Sequence, residues 1–349
     1  MNCKILLAIC CKGTYFLRIF FSFLDKIFSF LQLKLRNFKK QISLLHKIQS
    51  MLVLKRVSDL QKYLNYLKTK DLQIGFVPTM GALHNGHKSL IEKSKAECNV
   101  TVASIFVNPT QFNDVKDLNK YPRTPERDIE MLTEAGCHVL FMPDESEIYP
   151  QGKSPSLKFN FGKLDKVLEG TFRPSHFDGM AQVVHRLLDI VKPHRLYMGQ
   201  KDFQQYTIVA SLLEQSKSPT KLVMCETMRE KDGLAMSSRN VRLSEQGRAV
   251  APLIYKTLHE ALEMVGEYSP AEIQKTCISK LRAEPLFKLE YFEIINGRTL
   301  LPIHLFEDTD FAVAVVAIWV GDVRLIDNII LKQHIPQEDI EGEESLWDN

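Results

Sequence analysis

Apolar positions between residues 51 and 225 repeatedly switch period, and each switch predicts a new element. Met51–Leu54 reads as a short strand. Leu60, Tyr63, Leu64 and Leu67 then fall on one helical face behind a Ser58-x-x-Gln61 capping box. Gln73–Pro78 (QIGFVP) is strand-like and Gly86–Ala96 helical. Val100–Val107 is an almost unbroken apolar run, the pattern of a strand buried on both faces. Pro125–Ala135 is expected to be a helix with Pro at N1, followed by a strand at Cys137–Met142 and a helix at Phe177–Val191. Arg195–Met198 and Lys221–Cys225 read as strands on either side of a helix at Asp202–Leu213. Repeated β–α units predict a doubly wound parallel sheet, with ligands beyond the carboxyl ends of its strands.

The pattern changes after Glu230-Lys231-Asp232-Gly233, a turn signal. One helix is expected from Glu245 to Val265, and another behind the capping box Ser269-Pro270-Ala271-Glu272. Two strands follow, Leu289–Ile295 and the apolar run Phe311–Val320, the latter too short to span a membrane. The expected fold class is therefore α/β: a Rossmann-like nucleotide-binding domain over 51–227 with a second, smaller α+β lid domain over 228–332. Residues 333–349 hold six acids and no Lys or Arg, which suits a solvated tail.

Composition rules out several classes. At 45% apolar and 25% charged, the 349-residue chain is neither collagen-like nor wholly disordered. Net charge is +3, but residues 1–50 carry nine Lys/Arg against Asp25, or +8, which leaves −5 for the rest. A mildly acidic body argues against nucleic-acid binding. In the leader, Lys12, Arg18 and Asp25-Lys26 break the apolar runs Ile5–Cys11, Ile19–Leu24 and Ile27–Leu33, and no clear A-x-A cleavage site follows. Phe16, Phe20, Phe23, Ile27 and Phe30 share a helical face, so a basic helix on a membrane surface is one reading; organelle targeting and a true start at Met51 are the others. The seven cysteines show no zinc or disulfide-framework spacing, which favours a reducing cytoplasm.

Four segments could carry chemistry. Met80-Gly81-Ala82-Leu83-His84-Asn85-Gly86-His87 joins a strand to a helix, where unpaired N–H groups suit phosphate. His84 and His87 project from one side and can hydrogen-bond charge building on a nucleotide. Gly199-Gln200-Lys201-Asp202 is a second strand-to-helix turn; Lys201 can pair with phosphates, Asp202 can cap the helix or help hold Mg²⁺, and Gln205 lies one turn on. Met236-Ser237-Ser238-Arg239 offers hydroxyls and a guanidinium as a phosphate clamp. Asn108-Pro109-Thr110-Gln111-Phe112 can read a small polar substrate with its amides. No Walker A loop, G-x-S-x-G, H-E-x-x-H or G-x-G-x-x-G occurs.

H-x-G-H after a strand, with a later Met-Ser-Ser loop, resembles the HIGH and KMSKS motifs of the nucleotidyltransferase superfamily, with Ala235 replacing the lysine that opens KMSKS. The segments VPTMGALHNGH, SIFVNPTQF, YPRT, LEGTFRPSHFDG, GQKDFQQ, DGLAMSSRN and GDVRLIDN, in this order across about 51–332, resemble the pantothenate synthetase (pantoate–β-alanine ligase) family. That resemblance implies ATP-dependent ligation of pantoate and β-alanine through a pantoyl adenylate, with release of pyrophosphate and then AMP. It implies that Met80 to His87, Gly199 to Asp202, Met228 and Met236 to Arg239 bind ATP, with His87 as proton donor. It implies charge stabilisation by His84, Lys201 and Arg239, pantoate binding by Gln111 and Gln205, β-alanine near Gln111, and a homodimer. A related nucleotidyltransferase and a non-catalytic nucleotide-binding protein are the competing functions.

Overall fold

The computed structural model describes residues 51–112, 118–119, 121–152 and 158–333; the readings for 1–50 and 334–349 lie outside them. Six strands form one parallel sheet: β1 (Leu52–Leu54), β2 (Ile74–Thr79), β3 (Val100–Ile105), β4 (Val139–Phe141), β5 (Arg195–Gly199) and β6 (Lys221–Cys225). Their order is β1-β4-β3-β2-β5-β6, and β2 pairs with β3 from Ile74↔Val100 to Thr79↔Ile105. Side chains alternate across this sheet. Ile74, Phe76, Val100 and Val102 pack with Leu60 and Leu64 of α1 (Val57–Lys68) and Met180 and Val184 of α6 (His176–Val191). Val77 and Ala103 face Leu90 and Ile91 of α2 (Asn85–Glu97) and Leu132 of α3 (Pro125–Ala135). Both faces are covered, which is why β2 and β3 carry no charged residue. A fully buried ring such as Phe76 contributes about 2–3 kcal/mol.

Chain order reverses between β2 and β5, which lie side by side. Parallel sheets open a ligand crevice at such a switch point, beyond the strands' carboxyl ends. The turns after β2 and β5 are the ones that carry His84-x-x-His87 and Gly199–Asp202.

A second, antiparallel sheet has the order β7 (Phe287–Asn296), β8 (Phe311–Val320) and β9 (Val323–Gln333). One face of β8, including Ala314, Val316 and Ile318, packs with Ile254 and Leu258 of α9 (Leu253–Glu263) and Ile273 and Leu281 of α10 (Pro270–Arg282). Val313 and Val315 on the other face meet Leu168 and Phe203, so the ten-residue apolar run is a strand buried on both sides. The Ser269–Glu272 capping box forms as expected.

Three expectations are corrected. The Ser58 box does not form: α1 begins at Val57, its N-cap Arg56 makes no side-chain bond, and the Val57 N–H is taken by Glu147 Oε2 at 2.8 Å. The helix expected over Glu245–Val265 is two, α8 (Glu245–Val250) and α9, parted at Ala251-Pro252, where proline cannot donate an N–H. Strand β9 lies where no strand was expected, because Asp327 and Asn328 interrupt its apolar pattern. The four cysteines of the described residues, 98, 137, 225 and 277, are free and buried. No helix among these residues is long and apolar enough to cross a membrane.

Candidate active site

The turn after β2 is built around its own polar groups. Gly81 (φ 81°) and Ala82 (φ 50°) adopt left-handed backbone, and the Ala82 and Leu83 N–H groups donate to the buried Asp128 carboxylate at 2.9 and 2.8 Å. Asp128 belongs to α3, so that helix fixes the shape of this loop. At the start of α2, His84 Nδ1 accepts from the Gly86 N–H at 3.1 Å. His87 Nδ1 accepts from the His84 N–H at 3.3 Å, closing a capping box made of two imidazoles. Capping the helix and lining the cavity described below thus fall to the same two side chains.

The bonds determine the tautomers. An Nδ1 that accepts carries no proton, so each neutral ring holds its proton on Nε2. Burial, followed by the charges of neighbouring groups including Lys201, pulls His84 down to about 4. Burial, then His84 and Lys201, pulls His87 down to about 3. At neutral pH both are uncharged donors, with ring centroids 4.1 Å apart. Gly86 is part of the same arrangement: a Cβ there would lie 2.9 Å from the His84 ring.

These groups open into a cavity of about 270 Å³. Met80, His84, Gly86 and His87 line it from the β2 side, and Gly199, Lys201, Asp202 and Gln205 from the β5 side. Met228, Met236, Ser237, Ser238 and Arg239 form a third edge, and Gln111 lies on the wall as well. Gly81, Ala82, Leu83, Asn85 and Gln200 are not brought to that wall; Leu83 is buried in the core and Asn85 faces solvent. Among the described residues Lys201 has no ion-pair partner. Asp202 occupies the N-cap of α7 (Phe203–Gln215), but its side chain makes no capping bond. The Met236 N–H donates to the Met228 carbonyl at 2.9 Å, joining those segments as one bridge.

Gln111 is held by a relay. Tyr149 donates to Asn108 Oδ1 at 2.8 Å, Asn108 Nδ2 donates to Gln111 Oε1 at 3.2 Å, and Gln111 Nε2 donates to the Met80 sulfur at 2.8 Å. Gln204, adjacent to Gln205 and also on the cavity wall, donates to the carbonyls of Leu164 and Val167.

Several wall residues escaped the sequence reading. His176 donates from Nδ1 to the Gln111 carbonyl at 2.8 Å, and burial, then Arg173, pulls it down to about 4. Its tautomer is the reverse of that of His84 and His87, so its Nε2 is an acceptor. The Tyr121 hydroxyl hydrogen-bonds Ser238. Glu169 in α5 (Glu169–Phe172) accepts two bonds from Arg324 at 2.6 and 2.7 Å and one from Tyr291 at 2.7 Å. Burial pushes the Glu169 carboxyl up, but Arg324 and Tyr291 outweigh it, and the net shift is down. Tyr121 and Glu169 lie inside quoted motifs, yet only the fold shows what they touch.

Comparison with known proteins gives a consistent result. Residues 52–330 match a family model described as pantoate–β-alanine ligase. A pantothenate synthetase of Porphyromonas gingivalis is 46% identical over 274 residues, 78% of this chain and 96% of that protein. The crystal structure of pantothenate synthetase from Thermus thermophilus is 40% identical with a TM-score of 0.74, covering 81% of this chain and all of that one. A pantoate–β-alanine ligase from Francisella tularensis, crystallised with beta-gamma ATP and β-alanine, is 37% identical with a TM-score of 0.67, covering 81% and 98%.

Proposed function

The chain belongs to the pantoate–β-alanine ligase family, and from that membership we propose how its cavity works. A carboxylate oxygen of pantoate attacks the α-phosphorus of ATP, pyrophosphate leaves, and a pantoyl adenylate stays bound. The amine nitrogen of β-alanine then attacks the acyl carbon, loses a proton and displaces AMP, giving pantothenate.

The observation that carries this reading is the pair of neutral Nε2–H donors at a helix N-terminus, in one cavity with Lys201, which has no ion-pair partner among the described residues. Adenylation brings a carboxylate against a polyphosphate, so anions must be screened without a competing nucleophile. Neutral imidazoles supply hydrogen bonds directed at developing charge, and Lys201 with Arg239 supplies the positive charge. Met228 and Met236 to Ser238 form the nucleotide edge. Gln111, held by Asn108, and Gln205 would bind pantoate through neutral amides, with β-alanine near Gln111. Mg²⁺ enters with the phosphates of ATP. The Asp202 carboxylate fits beside it, since Mg²⁺ is commonly held by phosphates, water and one or two carboxylates.

The test is product release by residues 51–349 with Mg-ATP, adding pantoate and β-alanine separately and then together. Pyrophosphate with pantoate alone, and sustained free AMP only once β-alanine is present, is the expected result. Nucleotide retained on the product would indicate a related nucleotidyltransferase instead. ATP binding without turnover would indicate a non-catalytic nucleotide-binding protein.

A further inference from the structure

The GDVRLIDN segment supplies β9, and its Asp327-Asn328 pair reaches out of the small sheet to the turn after β5. Asn328 Nδ2 donates to the carbonyls of Gln200 at 2.9 Å and Lys201 at 3.0 Å, while its Oδ1 accepts from Gln200 Nε2 at 3.0 Å. One primary amide therefore spends both hydrogens and an acceptor on two consecutive residues of the phosphate-facing turn. Asn328 is itself clamped. Its N–H donates to Asp327 Oδ1 at 2.8 Å, and Arg229 grips both Asp327 oxygens, at 2.6 and 3.1 Å. Arg229 also donates to the Gly233 carbonyl and lies 3.8 Å over the Tyr255 ring. It adjoins Met228 and bridges to Ala235, the residues flanking the nucleotide edge of the cavity. Asp327 and Asn328 are 4% and 2% exposed, so these bonds form out of water, where geometry is held tightly.

We infer that Asp327-Asn328 is a positioning element for adenylation: it registers the backbone of Gln200 and Lys201 against the Met228–Met236 edge, so that the Lys201 ammonium meets the phosphates of a nucleotide seated on that edge. Neither residue touches the reacting atoms in this account, which rests on the role given to Lys201 above. The small sheet thereby contributes to catalysis through backbone carbonyls of the other sheet's turn. A displacement near 1 Å in such a charge is enough to slow a reaction substantially.

The test is a double-mutant cycle on the single-turnover rate of pyrophosphate release at saturating ATP and pantoate, using the full 349-residue chain. Asn328→Ala should slow release about tenfold when Lys201 is present and less than about twofold in the Lys201→Ala background, because a group acting through Lys201 has nothing left to position. An equal loss in both backgrounds would overturn the inference, since a merely structural role lowers both alike. No loss with Lys201 intact would overturn it too. Should Asn328→Ala not fold, Asp327→Asn carries the same cycle: it keeps the Asn328 bonds but loosens the Arg229 grip, and its smaller loss must likewise vanish without Lys201. A Lys201→Ala enzyme as fast as wild type would remove both this inference and the Lys201 role. Loss at Lys201 with additive Asn328 effects would remove the inference alone.

Discussion

At the scale of single residues, the site depends on where protons sit. His84 and His87 accept at Nδ1 from backbone N–H groups, and protonating either ring would set an N–H against an N–H. Burial and the nearby Lys201 oppose the charge as well, holding the rings at about 4 and 3 against an ordinary 6.5. Both are therefore expected to be neutral, with the proton on Nε2, at pH 6. Nitrogen-15 NMR of selectively labelled histidine reads this directly. Doubly protonated rings at these positions at pH 6 would sink the tautomer assignment. The shift also has a sign for stability: an unfolded chain takes up protons below about pH 6.5 and these folded rings do not, so their contribution is complete above that pH and is lost as pH falls towards 4 and 3.

At the scale of elements, α2 carries a glycine where alanine would make a better helix, by about 1 kcal/mol. Gly86 has ordinary helical backbone, so the reason lies in its neighbour, the His84 ring resting where a Cβ would go. Gly86→Ala is expected to leave thermal stability within about 1 kcal/mol of wild type, because a side-chain end can swing aside. The same variant should slow adenylation about tenfold or more by moving a directed donor. Pyrophosphate release and a melting curve on one sample separate the two effects, and a fully active variant would show that the His84 position is unimportant. The break between α8 and α9 shows another limit of element-level reading: apolar periodicity runs through Pro252, while the missing N–H ends the hydrogen-bond ladder there.

At the scale of the whole molecule, an ion network ties the small antiparallel sheet to the short helix α5. Arg324 of β9 bonds both oxygens of Glu169 and also Glu290, whose other oxygen accepts from Trp319. Arg324→Ala would leave two carboxylates buried without their cation, a loss of about 3–5 kcal/mol at neutral pH. In wild type the Glu169 shift is downward, so its stabilisation is present above the ordinary 4.5 and is lost as pH falls through the folded value. Without Arg324, burial would be opposed only by the Tyr291 hydroxyl and the charge of Arg173, the carboxyl would rise, and acid would then favour the folded variant. Denaturant unfolding at pH 7 and pH 5 should therefore show the gap between variant and wild type narrowing as pH falls. A constant gap would mean that the network's charge is not what Arg324 supports.

Legible in the sequence were the order of the parallel sheet's strands and long helices over residues 51–225, the cavity-lining turns after β2 and β5, and the family. Those properties follow from local periodicity, from backbone chemistry at glycine and proline, and from motifs that survive as contiguous letters. The folded structure was needed to assign the tautomers: those of His84 and His87 rest on capping bonds at the start of α2, and that of His176 on the distant Gln111 carbonyl. It alone showed that Asp128 shapes the Met80–Leu83 loop, that His176 faces the cavity beside Gln111, and that Asn328 holds the carbonyls of Lys201 from across the molecule. The last three are contacts between residues tens to more than a hundred positions apart, and a hydrogen bond's direction and burial depend on the partner's place in space, which no local pattern encodes.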